Sequence, residues 1–233
     1  SSPLVVQRFA PGLQQVEEIE ILPLFQRILV PISNPATQEY LLSLGSLLAK
    51  TSSGVVMALH VTRDAPGHQY EKRHQKELLD RVPHILSDPD LQVELLPRLA
   101  NTYAQGILHT SVERNASLIL MGWRGKRTLE QSVLGTVLDE VIWGSDMPVM
   151  VGRLTNPLNS TQRVLLLLPA RVVAPSVLRR ILEANRTIAA ALNVPQAILA
   201  DASYLEQVRE ISEPFQQDFP CEFNFHSQPG VEG

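Results

Sequence analysis

The sequence predicts an α/β fold of the doubly wound type, built on a parallel sheet. Short apolar runs, such as Leu118–Met121, are typical of strands buried on both faces of such a sheet. These runs alternate with stretches in which apolar residues recur at helical spacing. Because a strand, a helix and a parallel strand connect by a right-handed crossover, the alternation predicts helices on both faces of the sheet.

The predicted elements follow one another along the first two thirds of the chain. The strands are expected at 27–32, 54–61, 91–96, 117–121 and 146–151. The helices are expected at 36–48, 70–86 and 102–115, with another that begins at 135. Ser33, Asn34 and Pro35 form a turn after the first strand, and Pro83 is expected to bend or end the second helix.

After a turn-rich linker at 155–160 the pattern restarts. Gln162–Pro169 is similar to Gln26–Pro31, which indicates an internal repeat. Further helices are predicted at 174–192 and 204–217, with strands at 196–200 and 221–225. This second copy lacks everything that corresponds to 100–153. We therefore predict a linker or extension at 1–25, a domain at 26–155 and a partial second domain at 160–233.

The loop after the fourth strand has the features of an anion site. It contains Gly122, Gly125 and Gly135, and glycine lets the backbone approach a ligand closely. The helix that opens at Thr136 and Val137 offers free N–H groups and the positive end of its dipole. The spacing matches neither the P-loop nor the dinucleotide fingerprint.

The spacing Gly122-x2-Gly125-x9-Gly135-Thr136 resembles the nucleotide-binding motif of the universal stress protein family, G-x2-G-x9-G-[ST], in its ATP-binding branch. The flanking strands also resemble that family, over about residues 26–153. The resemblance implies a five-stranded sheet of order 3-2-1-4-5. Ligands of such sheets bind outside the carboxyl ends of the strands, where the order reverses. Pro31–Asn34 is then expected opposite Gly122.

The resemblance also implies a ligand, which is an adenine nucleotide: ATP, AMP or a cyclic dinucleotide, with Mg²⁺ accompanying ATP. The implied nucleotide-binding residues are Pro31, Ile32, Ser33, Asn34, Val61, Met121, Gly122, Gly125, Lys126, Arg127, Gly135, Thr136 and Val137.

Within this set the resemblance implies different roles. Pro31 and Ile32 would line the base and ribose, Val61 would pack on the adenine, and the glycines would hold the phosphates. Lys126 and Arg127 either neutralise a di- or triphosphate or are solvated charges of the loop. The family has an acidic residue that helps to fix adenine where this chain has Ser33, so base specificity and affinity stay open. Ser33 and Asn34 are neutral polar residues that can still form hydrogen bonds with the edge of a base.

Composition excludes several other classes of function. The net charge of −4 and the lack of a basic stripe give no case for nucleic-acid binding. Cys221 is the one cysteine, which excludes an internal disulfide framework and fits a reducing compartment. No residues are assigned to a metal site or to catalysis, since neither ligand spacing nor a Ser-His-Asp or Cys-His set can be argued. No apolar run is long enough for a membrane span, so a soluble, cytoplasmic chain is expected.

The first residues suggest a larger context. Residues 2–9, Ser-Pro-Leu-Val-Val-Gln-Arg-Phe, resemble the end of the last membrane helix of monovalent cation/proton antiporters. Some of these antiporters carry stress-protein domains at a cytoplasmic C-terminus. An ordinary N-terminal extension is the other interpretation. The expected function is a nucleotide-binding regulatory domain attached to such a transporter. The alternatives are a stand-alone universal stress protein, a slow nucleotide hydrolase or weak ATPase, and an empty site whose fold serves only dimerisation. The apolar edge strand at 148–151 predicts a homodimer.

Overall fold

The computed structural model describes residues 23–63, 69–123, 136–168, 174–199 and 225–226, with Val208 and Glu210. Over these ranges the strands are β1 Arg27–Pro31, β2 Val55–Arg63, β3 Gln92–Ala100, β4 Leu118–Gly122, β5 Val149–Gly152, β6 Val164–Leu167, β7 Gln196–Leu199 and β8 Phe225–His226. The helices are α1 Pro35–Lys50, α2 Gln69–Ile85, α3 Tyr103–Glu113, α4 Thr136–Gly144 and α5 Pro175–Leu192. Except for Val208 and Glu210, the helix predicted at 204–217 lies outside the described residues.

In the described part of the chain, β1 to β5 form one parallel sheet of order β3-β2-β1-β4-β5. This confirms the predicted fold class and strand order. The central strand β1 is apolar because Ile28, Leu29 and Val30 are wholly buried between two helical layers.

Helices cover both faces of this sheet. Alternate residues of β1 contribute to two hydrophobic clusters, Ile28 and Val30 to one and Leu29 to the other. The first cluster lies under α1 and α2, and the second lies under α3 and α4. Since helix N-termini follow strand C-termini, the loops that precede these helices gather at one edge of the sheet.

Capping residues fix where two of these helices begin. Asn34 Oδ1 accepts a hydrogen bond of 3.1 Å from the backbone N–H of Ala36, and Pro35 occupies the first helical position of α1. Thr102 Oγ1 accepts from the backbone N–H of Gln105 at 3.2 Å and caps α3 in the same way.

The third strand is longer than predicted. It continues four residues past Leu96, through Pro97, to Ala100. Proline cannot donate to a ladder, but β3 pairs with β2 alone among the described strands and so tolerates it at the sheet edge. Pro83 lies inside α2, which ends two residues later.

Beyond β5 the chain builds a second, smaller parallel sheet, ordered β6-β7-β8 over the described residues. Leu178 and Leu182 of α5 pack with Ile198 in its core. Two other residues of α5, Ala184 and Ile188, pack against the cluster under α1. Among the helices that the structure describes, none has the length and apolar content needed to cross a membrane.

Candidate functional site

A cavity of about 560 Å³ opens at the carboxyl edge of the five-stranded sheet. It lies where the strand order reverses, between the ends of β1 and β4, which is the usual position of a ligand site in such sheets. Its volume falls within the range of small-molecule sites, roughly 300–1,000 Å³.

The cavity brings together eight of the residues predicted from the sequence. They are Pro31, Ile32, Ser33, Asn34, Val61, Met121, Gly122 and Val137. Thr136 begins α4, directly before Val137. Gly125, Lys126, Arg127 and Gly135 lie outside the described residues.

Gly122 ends β4 at a point where α1 comes close. A Cβ atom at this position would lie 2.7 Å from Leu41 Cδ1, nearer than two carbon atoms approach. Leu41 itself lines the cavity. Any side chain at residue 122 would therefore compete for space with Leu41 beside the cavity.

The N-terminus of α4 faces the same cavity. Val137 and Leu138 of its first turn are among the lining residues. The first N–H groups of a helix have no acceptor within the helix, and the dipole is positive at that end. Together with Gly122, this end of the cavity suits an anionic group.

The side of the cavity towards β2 and α2 is polar. His60 Nδ1 lies 2.8 Å from the carbonyl oxygen of Ile32, and His74 Nε2 lies 3.4 Å from that of Ser33. A carbonyl oxygen only accepts, so His60 Nδ1 carries the proton. The two imidazole rings meet edge to face, with centroids 5.9 Å apart and an interplanar angle of 79°. These contacts hold the turn after β1 against β2 and α2.

Gln38, in the first turns of α1, is the most deeply buried polar side chain of the lining. It is 1% exposed, and its Nε2 donates a hydrogen bond of 2.6 Å to the carbonyl oxygen of Leu78 in α2. Its Oε1 is buried, and no donor among the described residues reaches it. The bond to Leu78 therefore fixes the orientation of the Gln38 amide and ties α1 to α2 beside the cavity.

On the other side, the wall of the cavity is apolar and aromatic. Val61, Tyr103 and Ile107 contribute to it, beside Met121 and Leu138. Such a surface suits the flat face of a heterocyclic base.

Several lining residues were not predicted from the sequence. They are Thr37, Gln38, Leu41, Leu59, His60, His74, Tyr103, Ile107 and Leu138. His60 is buried within β2, and it also borders the cavity. Most of these residues stand at a strand end or in the first turns of a helix. In the sequence, the one signal that could have indicated these residues is their position near the end of a predicted strand or the start of a predicted helix.

Comparison with known proteins decides the family. Residues 24–153, more than half of the chain, match the Universal stress protein family. The chain belongs to the universal stress protein family. The matched residues contain the five-stranded sheet and the cavity.

A curated relative gives the family match a context. Over 198 residues the chain is 31% identical to the Na(+)/H(+) antiporter NhaS5 of Synechocystis. The aligned part covers 77% of this chain but 28% of the antiporter, so the chain spans little more than a quarter of that protein's length.

Solved structures show the same fold over most of the chain. A universal stress protein from Archaeoglobus fulgidus matches with a TM-score of 0.60 and 21% identity, covering 89% of this chain and 78% of the other. A functionally unknown protein from Pseudomonas aeruginosa matches with a TM-score of 0.62 and 14% identity, covering 88% of this chain and 75% of the other.

Proposed function

We propose that this chain is a regulatory domain that binds an adenine nucleotide. The observation that carries the proposal is the cavity at the strand-order reversal, with Gly122 and the α4 N-terminus at one end. An apolar wall suited to a base and a helix end suited to phosphate occur in one cavity, and that combination fits a nucleotide.

The ligand is ATP, AMP or a cyclic dinucleotide, and Mg²⁺ accompanies ATP. The phosphates lie against Gly122, Thr136 and Val137. The sequence motif assigns Gly125, Lys126, Arg127 and Gly135 to the same ligand, and these four residues lie outside the described part of the chain. The base and ribose lie against Pro31, Ile32, Val61 and Met121. Ser33 and Asn34 contribute neutral hydrogen-bonding groups where the family has a carboxylate.

The regulated protein is a cation/proton antiporter to which the chain is attached. This proposal is supported by the similarity to NhaS5 and by the resemblance of residues 2–9 to an antiporter helix end. A ligand shifts a conformational equilibrium only if it binds the two states with different affinity. Regulation therefore requires that one transporter conformation distort the cavity.

Slow nucleotide hydrolysis is the alternative. Phosphoryl transfer usually needs a group that positions the attacking water and a carboxylate that holds the metal. The described part of the cavity lining contains neither aspartate nor glutamate. Binding without turnover is therefore the better-supported function.

Thermal unfolding and calorimetry test both proposals together. At a nucleotide concentration of about 100 times Kd, binding adds about 2.7 kcal/mol to the free energy of unfolding and raises Tm by several degrees. We expect this shift with ATP or AMP, and we expect ATP incubated with Mg²⁺ and the protein to stay intact by chromatography. An unchanged Tm with every adenine nucleotide would contradict binding. Release of more than one ADP per protein molecule would favour the hydrolase.

A further inference from the structure

The side chain of Trp143, near the end of α4, lies almost wholly in solvent. It is 87% exposed, whereas tryptophan is largely buried in most folded proteins. Val112 on α3 is 61% exposed. The two helices approach closely here, since a Cβ atom on Gly144 would lie 2.9 Å from Leu108 Cδ1. Trp143 directly precedes Gly144, and Val112 lies one turn after Leu108, so both exposed side chains flank this contact. We call Val112 and Trp143 the helix-end patch.

The helix-end patch lies at the amino edge of the five-stranded sheet, opposite the cavity. This is so because α3 and α4 begin at the carboxyl edge and run back against the direction of the strands. The chain enters the described residues at the same amino edge. Ser117 Oγ, directly before β4, donates a hydrogen bond of 3.0 Å to the carbonyl oxygen of Leu24. Arg27 Nε donates at 2.8 Å to the carbonyl oxygen of Arg114, the residue that caps the end of α3. The residues before Pro23 are therefore joined to the domain beside the end of α3.

The surroundings of the helix-end patch carry unpaired negative charge. Glu140 and Asp146 lie three residues before and after the tryptophan, and both are exposed. Neither forms an ion pair with any residue that the structure describes. At the end of α3, Glu113 and Arg114 pair with each other at 3.8 Å. A partner for this surface should therefore combine apolar side chains with a positive charge.

Residues 4–9, Leu-Val-Val-Gln-Arg-Phe, have this composition. Four of the six are apolar, none is acidic, and Arg8 is the one basic residue among the 22 that precede Pro23. The 14 residue steps from Phe9 to Pro23 span at most about 46–50 Å when extended. A domain of about 130 residues has a radius of gyration of about 14 Å, so the helix-end patch is well within their reach.

We propose that the helix-end patch is the docking surface of residues 4–9 of the same chain. Their apolar side chains cover Trp143 and Val112, and Arg8 faces the two unpaired carboxylates. The inference does not depend on nucleotide binding. If these residues also end a transporter helix, as the proposed function implies, docking holds the amino edge of the domain against the transporter and leaves the cavity open at the opposite edge.

Disulfide cross-linking in the full chain tests the docking. Cys221, the one cysteine, is first replaced by serine. In that background Val5→Cys is combined with Val112→Cys, and oxidation with copper phenanthroline should link the two within one chain, as read by peptide mapping. The control combines Val5→Cys with Leu99→Cys, because Leu99 on β3 is 60% exposed and so matches Val112. The link to residue 112 should form at least about tenfold faster than the link to residue 99.

Two other outcomes of the cross-linking would overturn the proposal. One is an equal rate for the two links, which would show that residue 5 has no preference for the helix-end patch. The other is a link that joins two chains and forms faster as the protein concentration rises, which would assign the helix-end patch to a second copy.

Two variants test which side chains hold the segment. Trp143→Ser removes the exposed indole and should slow the link to residue 112 at least about fivefold. Val177→Ser is the control, because Val177 on α5 is also exposed, at 45%, and this variant should link at the original rate. Arg8→Glu brings a negative charge to the two carboxylates and should slow the link most at low salt. Since these side chains are exposed or lie outside the packed core, none of the changes should prevent folding. An unchanged rate in either Trp143→Ser or Arg8→Glu would overturn the proposal.

Discussion

His60 Nδ1 donates a hydrogen bond of 2.8 Å to the carbonyl oxygen of Ile32, which joins the end of β2 to the turn that follows β1. The backbone N–H of Ile32 donates in turn to the carbonyl oxygen of Leu59 at 2.8 Å. Both polar groups of Ile32 are thus bonded to β2. The turn that borders the cavity is therefore held in place before any ligand arrives, which reduces the ordering that binding requires.

Replacing His60 with phenylalanine tests this link. The change keeps a ring in the buried position but leaves the Ile32 carbonyl without its side-chain donor. We expect a loss of about 1–3 kcal/mol in the free energy of unfolding by urea titration. Nucleotide affinity should fall too, because the turn becomes less ordered. His109 on α3 is exposed and provides the control, since His109→Phe should change stability by no more than about 0.5 kcal/mol. Equal stability of the two variants would contradict the role of His60.

Gly122→Val tests the close approach of α1 to β4. The new Cβ would lie 2.7 Å from Leu41 Cδ1, so Leu41 must move, and both residues border the cavity. Because Cδ1 is the end of a flexible side chain, the domain should fold with only a modest loss of stability. We expect nucleotide affinity to fall at least about tenfold, equivalent to about 1.4 kcal/mol, by calorimetry.

Gly152 supplies the control for this variant. It pairs with Gly122 in register on β5, but a Cβ there would meet its nearest neighbour, Leu154, at an ordinary 3.6 Å. Gly152→Val should leave affinity unchanged. If Gly122→Val binds as tightly as Gly152→Val, Gly122 does not contribute to the site.

The main strands of the sheet could be predicted from the sequence because a strand that is buried on both faces consists of consecutive apolar residues. β1 and β4 are short, unbroken apolar runs, and in a parallel sheet covered on both faces such runs have few alternatives. The continuation of β3 through Pro97 could not be predicted, since a proline and a charged residue usually indicate a turn. Only the edge position of the strand makes them acceptable.

The site was predictable to a smaller degree, for a similar reason. Gly122 and Val137 were indicated by glycine spacing and by a helix start, which are local patterns. Gln38 was not, because its burial beside the cavity depends on a bond to the Leu78 carbonyl, 40 residues away. A polar residue in an amphipathic helix gives no sign of whether it faces water or a distant helix.

Gly106 is the position where α3 packs most closely on β2. A Cβ there would lie 2.5 and 2.9 Å from the two methyl carbons of Val61 and 3.1 Å from Ala100 Cβ. Alanine favours a helix over glycine by about 1 kcal/mol, but overpacking of this kind costs about 1–3 kcal/mol. We expect Gly106→Ala to lower the free energy of unfolding in urea, because a β-branched side chain on a strand has little freedom to move aside.

Gly45 in α1 tests whether the contact, and not the residue type, is responsible. A Cβ there would lie 3.3 Å from Val30 Cγ2, with its next neighbours at 3.7 and 3.8 Å. Gly45→Ala should therefore lose less stability than Gly106→Ala, or gain some from helix propensity. The reverse order of the two variants would show that α3 adjusts its position freely.

The outer strand β5 is the proposed homodimer contact. Among the described strands it pairs with β4 alone, and Val151 on it is 37% exposed. An apolar edge strand has unpaired backbone groups that bind a second strand readily. We expect a dimer by sedimentation at micromolar concentration. Val151→Lys should shift the protein towards monomer, because pairing would bring the two lysines close together.

The opposite edge of the same sheet offers the matched control for the homodimer. Leu99 on β3 is 60% exposed, more than Val151. If the chains associated through any exposed apolar residue, Leu99 would contribute at least as much as Val151. If β5 forms the dimer contact, the Leu99→Lys protein should sediment as a dimer, like the unaltered protein. Of the two variants, only Val151→Lys should sediment as a monomer. A monomeric unaltered protein would exclude the homodimer under these conditions. Dissociation by Leu99→Lys alone would show that the dimer forms through β3 and not through β5. The helices that pack against β3 are α2 and α3, not α4. A dimer formed through β3 would therefore lie away from the phosphate end of the cavity.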